Sequence, residues 1–367
     1  MWYKIKPLDT LFFRDGRPFS MGAETWANPI FPPYPSTVYG AIRTWLIFER
    51  GSLKEFEEGK FKEELGTPSG KGNLKIKGPL ICLDNNLYFP VPFDCLQKKG
   101  APRSEKNNLF YIDCINKPEI FISYYPLERI LINKNDFELE ECNEFLDINS
   151  LKDYLKGHEK QLEFTEKKEI FSYEKKTGIK RSRKTLSSEE GYLYKIPMIK
   201  LKNKASLFVE IDGLSRYPEE GLLQIGGEGK TAKIEKIKNY DPLKTLKYMD
   251  FEFENKIFKI YLATPAIFEK GWLPKWINDK STFEGNHNGI KLKLMACSIG
   301  KYNLIGGWDL ANKRPKPMYK AVPPGSVYYF KILDDTPAEK IKEVFHFKNI
   351  SDINLEEGFG LSFVGEV

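Results

Sequence analysis

The spacing of apolar and polar residues changes often along this chain, and each change marks an element. Trp2-Tyr3-Lys4-Ile5 alternates as an opening strand. Leu8-Asp9-Thr10-Leu11-Phe12-Phe13 then runs into Arg14-Asp15-Gly16-Arg17-Pro18-Phe19, where Asp-Gly predicts a tight turn between two arginines. That turn could present both guanidinium groups to one ligand or be a solvated hairpin tip. After the stiff Phe31-Pro32-Pro33-Tyr34-Pro35, Ser36 or Thr37 is placed to cap a helix over about 38–49, with Val38, Ile42, Trp45 and Leu46 on one face. Residues 54–65 read as a second, charged helix, 66–73 as a mobile Gly/Ser/Lys-rich loop, and 74–83 and 87–91 as two strands. Residues 98–108 are loop-like, and a short helix follows near 151–156.

Two aromatic, strand-like segments, Glu169-Ile170-Phe171-Ser172-Tyr173 and Gly191-Tyr192-Leu193-Tyr194-Lys195-Ile196, enclose a basic run. Residues 175–184 hold Lys175, Lys176, Lys180, Arg181, Arg183 and Lys184 and no acid, which predicts a long β-hairpin with a basic tip. Cations there can track phosphates while Tyr173, Tyr192 and Tyr194 offer stacking surfaces, the chemistry of single-stranded nucleic-acid binding. A merely solvated loop is the plain alternative.

A strand over 205–211 and a short helix over 217–223 lead to Leu222-Leu223-Gln224-Ile225-Gly226-Gly227-Glu228-Gly229-Lys230-Thr231-Ala232. Glycines allow positive φ and a close approach of N–H groups to an anion, and Lys230 adds a point charge at the rim. A nucleotide-binding P-loop is excluded, because the glycine it requires is replaced by Gln224. A glycine-rich turn joining a helix to a strand fits the same residues. Strands follow at 232–237, 257–262, 290–299 and 327–333, then a helix over 338–345 capped by Asp335 or Thr336, then Glu357-Gly358-Phe359-Gly360-Leu361-Ser362-Phe363. A helix, a glycine loop and a strand thus close both halves, which points to a duplicated β-α-β-β-α-β fold. The domains are expected at 1–245, with insertions over about 98–200, and at 246–367.

Composition narrows the function. The 367 residues are 41% hydrophobic and 14% aromatic, which excludes a disordered chain. No apolar run reaches the roughly 18 residues of a membrane span, so an intracellular protein with no membrane partner is expected. Five cysteines without a Cys-x-x-Cys pair indicate neither a disulfide framework nor a zinc site. The net charge of +6 is unevenly placed: residues 136–147 carry Asp136, Glu138, Glu140, Glu141, Glu144 and Asp147 with no base. Without a histidine among them these acids suit a solvated face or a partner contact better than a metal site. His158, His287 and His346 are the only histidines, and none has a catalytic partner in sequence. No cofactor or metal is called for, although RNA cleavage by Lys and Tyr without metal stays open.

Leu8-Asp9-Thr10-Leu11-Phe12-Phe13-Arg14-Asp15-Gly16-Arg17-Pro18-Phe19, Pro32-Pro33-Tyr34-Pro35-Ser36-Thr37-Val38-Tyr39-Gly40-Ala41-Ile42-Arg43, Ile225-Gly226-Gly227-Glu228-Gly229 and the basic Gly178-Ile179-Lys180-Arg181-Ser182-Arg183-Lys184-Thr185 together carry a resemblance. The chain resembles the RAMP superfamily of CRISPR proteins, and within it the third subunits of the type III-B Cmr complex. The resemblance implies an α+β fold of two ferredoxin-like domains, with the long basic hairpin as an insertion. It implies a non-catalytic, cytoplasmic RNA-binding subunit that holds the 5′ repeat-derived handle of the CRISPR RNA. It also implies docking to the large polymerase-like subunit and to a backbone RAMP subunit. On this reading Lys180, Arg181, Arg183, Lys184 and Lys230 contact phosphates, the backbone of Gly226, Gly227 and Gly229 cradles the chain, and Arg14, Arg17 and Arg43 form a second rank. One departure is that Leu361, not a basic residue, follows Gly358-Phe359-Gly360. A metal-independent RAMP endoribonuclease that processes CRISPR RNA and a protein-only scaffold are the competing readings.

Overall fold

A computed structural model describes residues 1–14, 29–101, 107–121, 123, 125–157, 162–181, 188–278, 281–309 and 311–367, with the backbone alone for 179–181 and 188–195. The chain forms two compact units, each assembled from three separate stretches: Met1–Asp84, Lys168–Lys238 and Leu304–Lys320 in the first, and Asn85–Lys167, Asn239–Asn303 and Ala321–Val367 in the second.

The first unit contains β1 (Trp2–Pro7), α1 (Pro35–Arg50), β2 (Lys75–Leu83), the long hairpin of β3 (Phe171–Arg181) and β4 (Ser188–Leu201), β5 (Ala205–Asp212), β6 (Glu220–Gln224) and β7 (Thr231–Lys236). Its sheet strands run β6-β7-β1-β5-β2, every pair antiparallel. Tyr3 and Ile5 point to the same side of β1 and are fully buried, as are Val38, Ile42 and Leu46 of α1. Burial of each such side chain is worth roughly 1.5–3 kcal/mol, which is why the apolar stripe of α1 fixes its place on the sheet. Tyr3 and Trp45 meet edge to face with ring centroids 6.0 Å apart.

Several local expectations are corrected here. The helix start is set by Pro35 in its first turn, with Tyr34 at the cap position and no side-chain cap, so neither Ser36 nor Thr37 serves. The second helix is two short pieces, Leu53–Glu57 and Lys62–Leu65, divided around Gly59 at φ +85°. The loop after it is tied down rather than loose: Arg43 donates to the carbonyls of Leu65, Thr67 and Gly70 at 2.7, 2.6 and 2.8 Å. Residues 217–223 do not form a helix, because 220–224 pair with β7 as the edge strand β6. Gly221 there lies so close to the Trp45 indole that any Cβ would clash with it. Pairing and packing decide here, and Gly221 already weakens a helix built on Glu219, Glu220, Leu222 and Leu223.

The second unit holds an antiparallel pair, Asn86–Pro90 with Phe145–Asp147, and the helix Ile148–Leu155 capped by the Asp147 carboxylate on Ser150 N–H. Its sheet is built from β8 (Ile257–Leu262), β9 (Glu284–His287), β10 (Ile290–Ser298), β11 (Val327–Ile332), β12 (Lys348–Asn349) and β13 (Leu361–Gly365), with α2 (Ala338–Phe345) before β12. The order is β9-β10-β11-β8-β13-β12. Pro337 occupies the cap position of α2 and gives it no side-chain cap, so Asp335 and Thr336 do not cap it. Buried in this unit, the Asp94 carboxylate accepts from the Tyr154 and Tyr329 hydroxyls, at 2.8 and 2.5 Å. The Lys259 ammonium sits 3.7 Å from the Tyr154 ring centre, and burial lowers its pKa.

The central four strands follow one order in both units: β7-β1-β5-β2 and β13-β8-β11-β10, the fourth, first, third and second of each set. Each set keeps one long connecting helix. In the first unit it is α1, between the first and second strands, and a strand stands where the second helix was expected. In the second unit it is α2, between the third and fourth.

Candidate nucleic-acid interface

Three short residues of the first unit, Leu11 to Phe13, gather the features that the sequence singled out. Leu11 and Ile199 of β4 exchange backbone hydrogen bonds of 2.7 Å each, which pins the base of the long hairpin. The next carbonyl, on Phe12, accepts from Gly227 N–H at 2.9 Å and so pins the glycine loop. The carbonyl of Phe13 accepts from Ile30 N–H at 3.0 Å. Arg14 follows directly and bridges to Pro29 through its backbone.

The loop Ile225–Lys230 joins two strands, not a helix to a strand. Gly226, Glu228 and Gly229 have φ of +76°, +59° and +63°. A Cβ on Gly226 would lie 2.5 Å from the Phe12 carbonyl, and one on Gly227 would lie 2.9 Å from the Phe12 ring. These two glycines are therefore demanded by packing, while a Cβ on Gly229 would only touch the Gln224 amide at 4.0 Å, so that glycine answers to its left-handed backbone alone. Within the loop the N–H groups of Ile225, Gly227 and Lys230 are taken. Those of Gly226, Glu228 and Gly229 have no hydrogen-bond partner among the described residues. Unused N–H groups on a concave, positive-φ turn are what an anion binds to.

Cations surround this loop, each matched with an acid. Lys230 Nζ lies 2.7 Å from Asp9 and is mostly covered, whereas Asp9 is 72% exposed. The hydrogen bond from Lys230 holds the Asp9 carboxyl below its ordinary range. Lys176 of β3 reaches Glu228 at 3.5 Å, which links the hairpin to the loop. Lys200 of β4 pairs with Glu174, and this bond raises the lysine's pKa. The Lys176–Glu228 and Lys200–Glu174 pairs are exposed and contribute only about 0–1 kcal/mol each, so a phosphate can displace these carboxylates at low cost. Tyr173 is half exposed on the same hairpin, 5.6 Å from Phe171 between ring centres.

The other candidates fall out differently. Lys180 and Arg181 lie at the far end of β3, where Arg181 pairs with Ser188. Arg17, Arg183 and Lys184, together with His158 and the Asp15-Gly16 turn, lie outside the described residues. Arg43 is used inside the fold, with its three carbonyl partners and the Phe56 ring 5.1 Å away, so its guanidinium serves packing. Asp9, Lys176, Lys200 and Glu228 were not singled out from sequence as site residues. Lys176 carried a signal in its place in the basic run, and Asp9 and Glu228 stood inside the quoted motifs, while Lys200 carried none. In the second unit Gly358 and Gly360, at φ +98° and +72°, also form a glycine turn, but it is buried. His346 there is buried, its Nε2 2.7 Å from the Leu246 carbonyl and its Nδ1 accepting from Val364 N–H at 3.1 Å. Burial lowers its pKa to about 4, so it is neutral and does not act as a charged helix terminus. Among the described residues no three metal-ligating side chains converge, and no helix is long and apolar enough to cross a membrane.

Comparison with known proteins agrees with this architecture. The family described as CRISPR-associated protein (Cas_Cmr3) matches residues 3–367. The CRISPR system CMR subunit Cmr3 of Saccharolobus solfataricus is 23% identical over 346 residues, covering 90% of this chain and 86% of the relative. Among solved structures, one chain in the type III-B Cmr-beta complex bound to cognate target RNA and AMPPnP superposes with a TM-score of 0.52 at 19% identity, covering 90% of this chain and 86% of that one. A chain in the same complex bound to cognate target RNA gives 0.51 at 19% identity and the same coverage. At such identities these structures speak to the fold alone.

Proposed function

The chain belongs to the Cmr3 family of CRISPR-associated proteins, and we propose that it is a non-catalytic RNA-binding subunit of a type III-B effector complex that holds the 5′ repeat-derived handle of the CRISPR RNA. The observation that carries this reading is the convergence of the long hairpin and the glycine loop on Leu11–Phe13. It places unused loop N–H groups beside a row of lysines. The backbone of Gly226, Glu228 and Gly229 receives a phosphate, Lys230 and Lys176 neutralise it, and Lys180, Arg181, Arg183 and Lys184 follow the strand along the hairpin. Arg14 and Arg17 are second-rank phosphate contacts on this reading. Phosphate contacts are blind to sequence, so stacking on hairpin rings such as Tyr173 supplies what discrimination the site has. The shared strand order supports two ferredoxin-like halves, each short of one helix. As a subunit, the protein docks the large polymerase-like subunit and a backbone RAMP subunit.

Binding of a labelled CRISPR RNA carrying its handle, measured over a salt series for wild type and for Lys180→Glu/Arg181→Glu/Arg183→Glu, tests the reading. The triple variant is expected to bind more weakly and with a shallower dependence on salt. Equal binding at every salt concentration, alone and with the partner subunits, overturns the hairpin as a phosphate clamp. Discrete cleavage of repeat RNA in EDTA would instead establish the endoribonuclease reading.

A further inference from the structure

We propose that a second, smaller hairpin, centred on Trp308–Asp309 and Arg314–Pro315, is an additional arm for single-stranded RNA. Trp308 stacks on an unpaired base, and Lys313, Arg314 and Lys316 hold the neighbouring phosphates. This inference rests on the RNA-binding reading above and extends it to residues that neither the sequence motifs nor the glycine loop include.

Five observations carry it. Residues 301–320 contain Lys301, Lys313, Arg314, Lys316 and Lys320 against one acid, Asp309. That acid is occupied in building the turn: its two oxygens accept from Asn312 N–H at 3.1 Å and Nδ2 at 2.8 Å, which holds its pKa below the ordinary range. The hairpin is ordered by pairing, Trp308 opposite Pro315 and Asp309 opposite Arg314, with Lys316 N–H donating to the Gly307 carbonyl at 2.9 Å. On this scaffold the Trp308 ring is 56% exposed. An indole left in water forgoes burial energy, and the same short ribbon carries Lys313, Arg314 and Lys316, with Arg314 on the opposite face from Trp308; an exposed ring on a basic hairpin is the combination that takes up single strands.

Topology supplies the last observation. The hairpin lies in the connection from β10 to β11, the second and third strands of its four-strand set. In the first unit the corresponding connection, from β2 to β5, carries the long basic hairpin. The stretch Leu304–Lys320 moreover belongs to the compact unit that holds the glycine loop and the long hairpin, although the strands around it belong to the other unit. Both halves of the chain thus contribute a basic, aromatic hairpin from the same topological position to one unit.

The test uses the full-length protein and a fluorescently labelled CRISPR RNA with its handle. It compares Trp308→Ala, Trp308→Phe, Lys313→Glu/Arg314→Glu/Lys316→Glu and the long-hairpin triple variant. Trp308→Ala is expected to weaken binding roughly 5- to 100-fold, as loss of one base–ring stack does, while Trp308→Phe stays near wild type. The charge reversal is expected to weaken binding and flatten its salt dependence. If Trp308→Ala and the charge reversal bind as wild type while the long-hairpin variant fails, the second arm is refuted and the first reading stands. If all variants bind alike, both fall. A loss equally large in Trp308→Phe refutes stacking.

Discussion

The two glycine turns of this protein look alike in sequence and differ in what takes up their backbone. In the first unit, Gly226, Glu228 and Gly229 keep N–H groups without a partner among the described residues, and lysines stand around them. In the second, the backbone answers to its own core. Gly360 N–H donates to the Pro265 carbonyl at 2.7 Å, and the Thr264 hydroxyl donates to the Gly358 carbonyl at 2.7 Å while accepting from Leu361 N–H at 2.8 Å. Phe359 between the glycines is fully buried. A glycine pattern therefore announces an unusual backbone, and only the fate of its N–H groups separates a ligand cradle from a packed corner.

The contrast is sharpest in stability. A Cβ at Gly360 would stand 2.6 Å from Ser351 N on a left-handed backbone, so Gly360→Ala is expected to cost about 3 kcal/mol or more in urea denaturation. Gly229→Ala, where the new methyl meets nothing nearer than the Gln224 amide at 4.0 Å, is expected to cost about 1 kcal/mol. Equal costs would erase the distinction between corner and cradle.

Acid separates the two turns next. His346, beside the buried turn, has its pKa lowered from 6.5 to about 4. As pH falls below 6.5 the unfolded chain gains a proton that the folded chain refuses until about pH 4. Stability is therefore intact above 6.5 and declines between 6.5 and 4, by up to about 3 kcal/mol. His346→Gln is expected to flatten that portion of a urea-midpoint against pH curve, and an unchanged slope would contradict it. Thr264→Val removes a hydroxyl that satisfies two buried backbone groups, and its expected cost is about 1–3 kcal/mol with RNA binding unchanged. The smallest effect belongs to the exposed turn: Asp9→Asn frees Lys230 and is expected to tighten RNA binding by about two- to fivefold. Weaker binding would mean that the Asp9 pair shapes the loop instead of competing with phosphate.

Sequence alone carried the regular elements well. Alternation located β1, and apolar runs located β5, to within a few residues; the hairpin was foreseen, but β3 continues to Arg181, so Lys175, Lys176, Lys180 and Arg181 of the basic run lie in the strand and not at the tip. The stripe of Val38, Ile42, Trp45 and Leu46 likewise located α1. What escaped was settled by distant partners. Glu220-Gly221-Leu222-Leu223 became an edge strand because β7 pairs with it and Trp45 admits only a glycine there. Arg43 reads as a ligand-facing cation until three carbonyls from a later loop are seen to meet it. The pairing of Lys230 with Asp9 joins residues at opposite ends of a unit, and no local rule links them.

The pinning of the loop and the hairpin to Leu11–Phe13 also sets a timetable. Leu11 waits for Ile199, and Phe12 waits for Gly227, so both closures span most of the first unit. Contacts this distant in sequence form late, since the entropy of closing long loops must be met before they contribute. During synthesis, a chain whose residue 227 has not yet left the ribosome has its Phe12 carbonyl but no cradle to attach to it. If the loop holds RNA as proposed, it cannot do so until the chain has been made to about residue 230.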